Sequence, residues 1–445
     1  MLPKLSSVTQ RVSLSNLSSL QLFQLIRYAT FIVIGIGFAK LQISLNEIGT
    51  FETFILISGM VSFFWVSGMI NTMLSIYPKK SEEEKKQLLF GTFISLALFS
   101  AIAGCFLFTF SQNLLSFLDK KEDGSIIRLV IIYLHLNGPS FISEYILFLK
   151  ERKKEIIYYA LFFSLATLAA ALVPVVLSYG VEYSLYGMIL VAALKLVVAL
   201  YLLNRFASFS FNWNLQIENF KLSLPLLLSI FVSGSAEYID GIIVKAKFDD
   251  VSFAVFRYGA RELPVLLILA NTLSTAMVPA IAKNLDEGLT ELKKKSTQLM
   301  HVFFPLTIVL MLSSRYIYEY VFSESFIYSA LIFNIYLLLI IPRVLFPQTI
   351  LTGIQKNKFL LLSSVIEIVL NVSLSIWLAG KLGLPGIALG TLLAYLFDKV
   401  FLISINSVVN KIPLSKYLQK STFCVYSIAA CIAFGFSYYL MVKLP

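Results

Sequence analysis

The chain has little of what a water-soluble enzyme is built from. Only 14% of its 445 residues are Asp, Glu, Lys or Arg, whereas a soluble domain carries about a quarter. An ordinary globular fold is therefore excluded. Cysteine is scarce: Cys105, Cys424 and Cys431 all lie in apolar runs and no CxxC occurs, which argues against a disulfide framework or a zinc site. With His135 and His301 as the only histidines, a histidine metal centre has too few ligands, and no metal or other cofactor is expected. There is no G-x-x-x-x-G-K-[ST] and so no ATP-binding P-loop. Long polar loops are missing too; none exceeds about eighteen residues, too short for a catalytic or nucleotide-binding domain outside a membrane.

What is present is hydrophobic length. Hydrophobic residues make up 58% of the chain and its mean hydropathy is +0.83. Apolar runs of about twenty residues recur, each long enough to cross a hydrocarbon layer. The opening stretch "MLPKLSSVTQRVSLSNLSSLQLF" has no signal-peptide layout, so the first run is expected to stay in the bilayer. Six runs fall at about 22–43, 49–77, 88–118, 127–149, 156–178 and 184–204, and six more at about 222–245, 252–282, 299–322, 328–354, 359–380 and 386–406. One further run at about 421–442 brings the count to thirteen. With the N-terminus placed in the cytoplasm, the inner connections hold about 21 Lys and Arg and the outer ones about 7. That alternation is the positive-inside pattern. It also accounts for the formal charge of +11 as an affinity for anionic headgroups rather than nucleic acid.

The two halves resemble each other. "LYGMILVAAL" from Leu185 is matched by "LPGIALGTLL" from Leu384, and "NTML" from Asn71 by "NTLS" from Asn271. Each half starts on the same side, so the repeat is parallel, with its axis along the membrane normal. The expected fold is an all-α polytopic membrane protein of two six-helix lobes plus one extra C-terminal helix, twelve to thirteen membrane helices in all. The lobes span 1–204 and 222–410, an interfacial linker 205–221 joins them, and 411–445 holds the additional helix. Aromatic residues among polar ones (Phe206, Phe209, Phe211, Trp213) suit a linker lying in the headgroup region.

Charges inside the runs are the candidates for function, because an ionisable group at membrane depth must face water or a partner. "FAVFRYGARELP" sets Arg257 and Arg261 one helical turn apart on a common face. They are read either as ion-paired with Glu262, Glu237 or Asp240, or as a cationic lining for an anionic substrate. Arg27 belongs to the first run and Arg343, between Pro342 and Pro347, to the tenth. Guanidinium groups grip phosphate with paired hydrogen bonds, so Arg27, Arg257, Arg261 and Arg343 are the candidate substrate-binding set. Glu144 and Glu367, which have no evident cation partner in sequence, join Glu237, Asp240 and Glu262 as candidate ion-coupling residues. Lys195 and Arg128 are read as packing or snorkelling groups, and Asp398 with Lys399 as an ion pair.

The stretches "FAVFRYGAREL", "NTLSTAMVPAIAK", "LTGIQKNK" and "LNVSLSIWLAGKLGLPGIALGTLLAY" resemble the oligosaccharide and polysaccharide flippases of the multidrug/oligosaccharidyl-lipid/polysaccharide (MOP) exporter superfamily. The likeness covers nearly the whole chain in topology and is most specific over 250–400. It implies a transporter, not an enzyme, that moves an undecaprenyl-pyrophosphate-linked oligosaccharide across a bacterial inner membrane by rocking two lobes about a central cavity. The substrate would be an O-antigen, capsule or similar repeat unit. The related lipid II flippases use arginines in their first and eighth helices, and Arg27, Arg257 and Arg261 occupy comparable places here. Thirteen segments depart from the usual twelve or fourteen. A glycan polymerase and a chain-length regulator are candidate partners beside the lipid bilayer. Two rivals are a cation-coupled drug antiporter, disfavoured by a net-positive cavity, and a membrane glycan polymerase or ligase, disfavoured by the lack of a large outer loop.

Overall fold

The structure, a computed structural model, describes residues 16–113, 124–260 and 264–443. The described residues are almost wholly helical, and twelve of their helices are long and apolar enough to span a membrane. In the first half these are built from α1 (Asn16–Lys40), α2 (Leu45–Ile76), α3 (Glu82–Thr109), α4 with α5 (Gly124–Ser140, Ile142–Leu149), α6 (Lys153–Val176) and α7 (Val181–Phe206). The second half opens with the 35-residue α8 (Trp213–Lys247), which is not among the twelve. Then come α9 (Asp250–Gly259), α10 (Pro264–Lys283) and α11 (Leu285–Ile317). A broken trio follows: α12 (Ile327–Leu337), α13 (Ile340–Arg343) and α14 (Pro347–Gly353). The chain ends with α15 (Asn357–Leu382), α16 (Leu384–Ser404) and α17 (Lys420–Lys443). Each of the thirteen expected segments has its helix. The last part of the stretch read as a linker, from Trp213, is already helical.

Local chemistry sets the helix starts. Ser81 and Glu84 form a capping box at α3, satisfying two backbone donors reciprocally. Asp249 caps α9 by accepting the Ser252 N–H at 2.8 Å, and Asn212 caps α8. Helix breaks fall at prolines, which remove a donor and crowd the preceding turn. Pro139 precedes the α4–α5 break, and Pro342 and Pro347 flank the α13–α14 break. Positive-φ turns fall at Glu151 and Gln355, and at the Gly180 and Gly383 that open α7 and α16.

In the first lobe α6 packs between α1 and α7, and α4 between α3 and α7; in the second α15 packs on α16 and α8, and α10 on α11 and α14. The lobes meet along α2, which lies against both α8 and α9. Apolar stripes such as Leu98, Ile102 and Phe106 on α3 face outward, as lipid-facing surfaces must. Between helices in lipid, close packing of small residues supplies the attraction that water exclusion supplies elsewhere. Gly386 and Gly390 let α16 lie on α15: a Cβ at Gly390 would stand 2.6 Å from the Ser375 backbone nitrogen, and one at Gly386 would stand 2.3 Å from the Leu378 carbonyl oxygen.

Gly390→Val is expected to cost ~1–3 kcal/mol and lower the melting temperature of the detergent-purified protein. Gly380→Ala, where an added Cβ meets nothing within 4 Å, leaves it unchanged or slightly higher. Equal melting of both variants would contradict the packing described.

Candidate functional site

A cavity of about 1170 Å³ lies between the lobes. Its described lining holds four cations (Arg27, Lys195, Arg257, Arg343) and four carboxylates (Glu52, Glu144, Asp240, Glu367). The lining residues toward one end, Gln24, Arg27, Ser67, Asn71 and Asn271, are exposed, whereas Thr30, Glu52, Leu56, Asp240 and Phe256 toward the other are buried. The open end is the one that carries the lysine-rich connections α2–α3, α5–α6 and α10–α11. At the opposite end the lobes are in contact. A Cβ on Gly49 would come within 2.4 Å of the Asp250 carbonyl oxygen. Tyr258 Oη donates to Gly35 O at 3.1 Å and Lys40 Nζ to Tyr320 O at 2.5 Å.

The proline break before α5 turns Glu144 toward the cavity, 3.7 Å from Arg27 Nη1. Arg27 is 44% exposed and Glu144 only 5%, so the carboxylate is held in the wall while the guanidinium reaches the aqueous space. Phe23 and Phe141 flank that guanidinium, 5.5 and 6.0 Å from ring centroid to Cζ, a cation–π arrangement. Lys195 on α7 shares the electrostatic surroundings of Glu144 and Arg27 and sits over the Phe163 ring.

Across the cavity Arg257 Nε donates to Glu52 Oε2 at 3.4 Å; the two side chains are 28% and 7% exposed. This pair joins α9 to α2 and so bridges the lobes on the closed side. Asp240 accepts hydrogen bonds from Tyr336 and from Thr391 Oγ1, the latter at 2.7 and 2.6 Å to its two oxygens. Asn371 Nδ2 in turn reaches Thr391 at 3.4 Å. Arg343, at the end of α13, lies 5.3 Å over the Tyr395 ring. Glu367 feels the charges of Asp398, Lys399 and Arg343. Lys399 and Asp398 are themselves paired at 3.0 Å in the wall behind.

Thus Arg27, Arg257 and Arg343 come together with Asp240, Glu144 and Glu367 in one cavity. Arg261 and Glu262 lie outside the described residues; the backbone of Glu237 is in α8, and its side chain lies outside them as well. Three expectations need correction. Glu144 does have a cation neighbour, Arg27, because the broken helix brings α5 to α1. Arg257 meets Glu52, more than two hundred residues away in sequence, because α2 is the helix on which α9 packs. The described lining is charge-balanced rather than net positive. Glu52 was missed and Lys195 was read as a packing group, though each is an ionisable residue within an apolar run and so carried the same signal as those singled out. No group of three or more metal-capable side chains occurs among the described residues.

This architecture, two helical lobes about a polar cavity, defines a multi-pass membrane protein with the MOP fold. The chain belongs to the family described as polysaccharide biosynthesis proteins, whose family model matches residues 42–331, well over half of its length. Among solved structures it is similar to the lipid II flippase MurJ in an inward-closed conformation. The TM-score is 0.68 at 18% identity, over 95% of this chain and 98% of that one. It is also similar to a multidrug resistance MATE family transporter in an inward-facing conformation, with a TM-score of 0.60 at 12% identity over 94% and 99% of the two chains. A MOP superfamily transporter from Pyrococcus furiosus gives 0.56 at 14% identity over 94% and 93%. No curated protein sequence matches the chain significantly.

A double-mutant cycle tests the bridge between the lobes. Glu52→Ala and Arg257→Ala together should destabilise the detergent-purified protein by about 0.5–3 kcal/mol less than the sum of the single changes. Simple additivity in thermal unfolding would show the two groups do not interact.

Proposed function

We propose that the protein is a flippase for an undecaprenyl-pyrophosphate-linked oligosaccharide, an O-antigen, capsule or similar repeat unit, in a bacterial inner membrane. The observation that carries this reading is the meeting of Arg27, Arg257 and Arg343 in one cavity between two lobes, in a chain of the polysaccharide biosynthesis family. In this reading the N-terminus is cytoplasmic and the lysine-rich end faces the cytoplasm, so the cavity stands open inward. The pyrophosphate enters from that side and is gripped by Arg27 and Arg257, with Arg343 deeper in the second lobe. The prenyl chain stays in lipid. The two lobes, 1–204 and 222–410, then rock so that the closed end opens outward.

Arg257 links substrate to motion. Its guanidinium is held by Glu52 across the closed end, and a phosphate oxygen competes for the same donors. Binding of the head thereby loosens an inter-lobe contact. Asp240, Glu144 and Glu367, with Glu237 and Glu262, are the carboxylates available to couple this motion to an ion gradient. A glycan polymerase and a chain-length regulator are the partners that would consume the product.

A drug antiporter is the second reading, favoured by the carboxylates in both walls of the cavity and by the balance of charge, which removes the electrostatic objection to a cationic substrate. The two separate in proteoliposomes loaded with a fluorescent polyprenyl-pyrophosphate oligosaccharide. Flipping is expected in the wild type, with loss of roughly tenfold or more in Arg27→Ala and Arg257→Ala at unchanged protein level; losing a charge-assisted contact costs about 1.5–3 kcal/mol. Unimpaired flipping in both variants, or transport of organic cations alone, would rule the proposal out. Asp240→Asn is expected to keep binding but lose acceleration by an imposed ion gradient, and retained acceleration would remove Asp240 from the coupling.

A further inference from the structure

The balance of charge in the cavity constrains the sugar, given the flippase reading on which this inference rests. A pyrophosphate diester is already a dianion. Of the four described cations, Arg27 and Arg257 already face Glu144 and Glu52 at 3.7 and 3.4 Å, so the head must draw them from carboxylates that stay in the wall. Asp240 and Glu367 contribute two more negative groups on the second lobe's side. Arg261 and Glu262, adjacent in sequence and opposite in sign, add nothing to the net charge of their segment. Against the four cations, the four wall carboxylates and the pyrophosphate dianion already supply six negative charges, and a carboxylate on the sugar would add a seventh. It would stand against like charges on the buried walls of the cavity, where repulsion is less screened than in bulk water.

The uncharged lining suits the opposite kind of head. Asn71 and Asn271, counterparts in the internal repeat, both face the open end of the cavity from facing lobes. An amide offers two donors and one acceptor, a match for sugar hydroxyl and acetamido groups. Tyr28 and Tyr238 add ring faces to the same lining. Pockets of about 300–1000 Å³ bury a drug-sized ligand, so a cavity of about 1170 Å³ has room within it for a short oligosaccharide.

We infer that the head carried is a short, uncharged oligosaccharide of hexose and N-acetylhexosamine type, and that Glu52, Glu144, Asp240 and Glu367 set specificity by repelling acidic sugars. The test uses the full-length protein in proteoliposomes. Two polyprenyl-pyrophosphate trisaccharides are compared, identical except that the terminal sugar is glucose in one and glucuronate in the other. The neutral substrate should flip roughly tenfold faster or more, since a like-charge juxtaposition costs several kcal/mol. Glu367→Gln should narrow that ratio by raising the glucuronate rate. Equal rates, a faster glucuronate substrate, or a ratio untouched by Glu367→Gln would overturn the specificity assignment while leaving the flippase reading intact. If neither trisaccharide moves, both fall together.

Discussion

A charge cannot be left unaccompanied in the middle of a membrane protein. Each ionisable group there faces water, a hydrogen-bonding wall or an opposite charge, and this protein uses all three around one cavity. Arg27 reaches water while Glu144 stays in the wall behind it. Asp240 is held by a tyrosine and a threonine, and Arg257 is met by Glu52 from the other lobe. The broken helices follow from the same constraint. A straight α4–α5 or α12–α14 would direct its charges elsewhere, and freed backbone groups are tolerated at membrane depth where they are buried in protein or line a cavity.

Much of the fold was legible because its signals are local. The alternation of Lys and Arg between connections supports the count of segments. Pro139, Pro342 and Pro347 mark where helices must break. The repeat shows in "NTML" and "NTLS", whose asparagines prove to line the cavity from opposite lobes. Arg27, Arg257 and Arg343, read as a substrate-binding set, and Asp240, Glu144 and Glu367, read as ion-coupling candidates, line one cavity; what the sequence carried was the signal of an ionisable group in an apolar run.

The partners were not legible, because pairing is a tertiary fact. Arg257 has Glu262 beside it in sequence and Glu237 and Asp240 one helix back, all closer along the chain than Glu52. Only the packing of α9 on α2 brings Glu52 within 3.4 Å. Glu52 sits among Phe51, Thr53 and Phe54 within the second apolar run, an ionisable residue with the same signal as those singled out but with nothing in sequence to join it to Arg257. A count of arginines alone therefore suggested a cationic chamber. The carboxylates that balance it come from α2, α5, α8 and α15, and no local stretch shows them together.

That balance changes how a substrate can act on the protein. In a net-positive chamber an anion would simply add attraction, and its binding need not alter any internal contact. In a balanced one, on the proposed mechanism, an anion competes with a carboxylate for a guanidinium, so binding is an exchange of partners. Exchange is what ties binding to shape, since a ligand shifts a conformational equilibrium only by its differential affinity for the two states. Arg257 and Glu52 belong to different lobes. Their contact bridges the lobes at the closed end, and on the proposed mechanism a phosphate that takes over the guanidinium stabilises the separated arrangement relative to the closed one. The Arg27–Glu144 pair lies within one lobe, so a rocking of the lobes neither makes nor breaks it. On the proposed mechanism, Arg27 therefore holds the head throughout the cycle, and Arg257 makes the cycle respond to it.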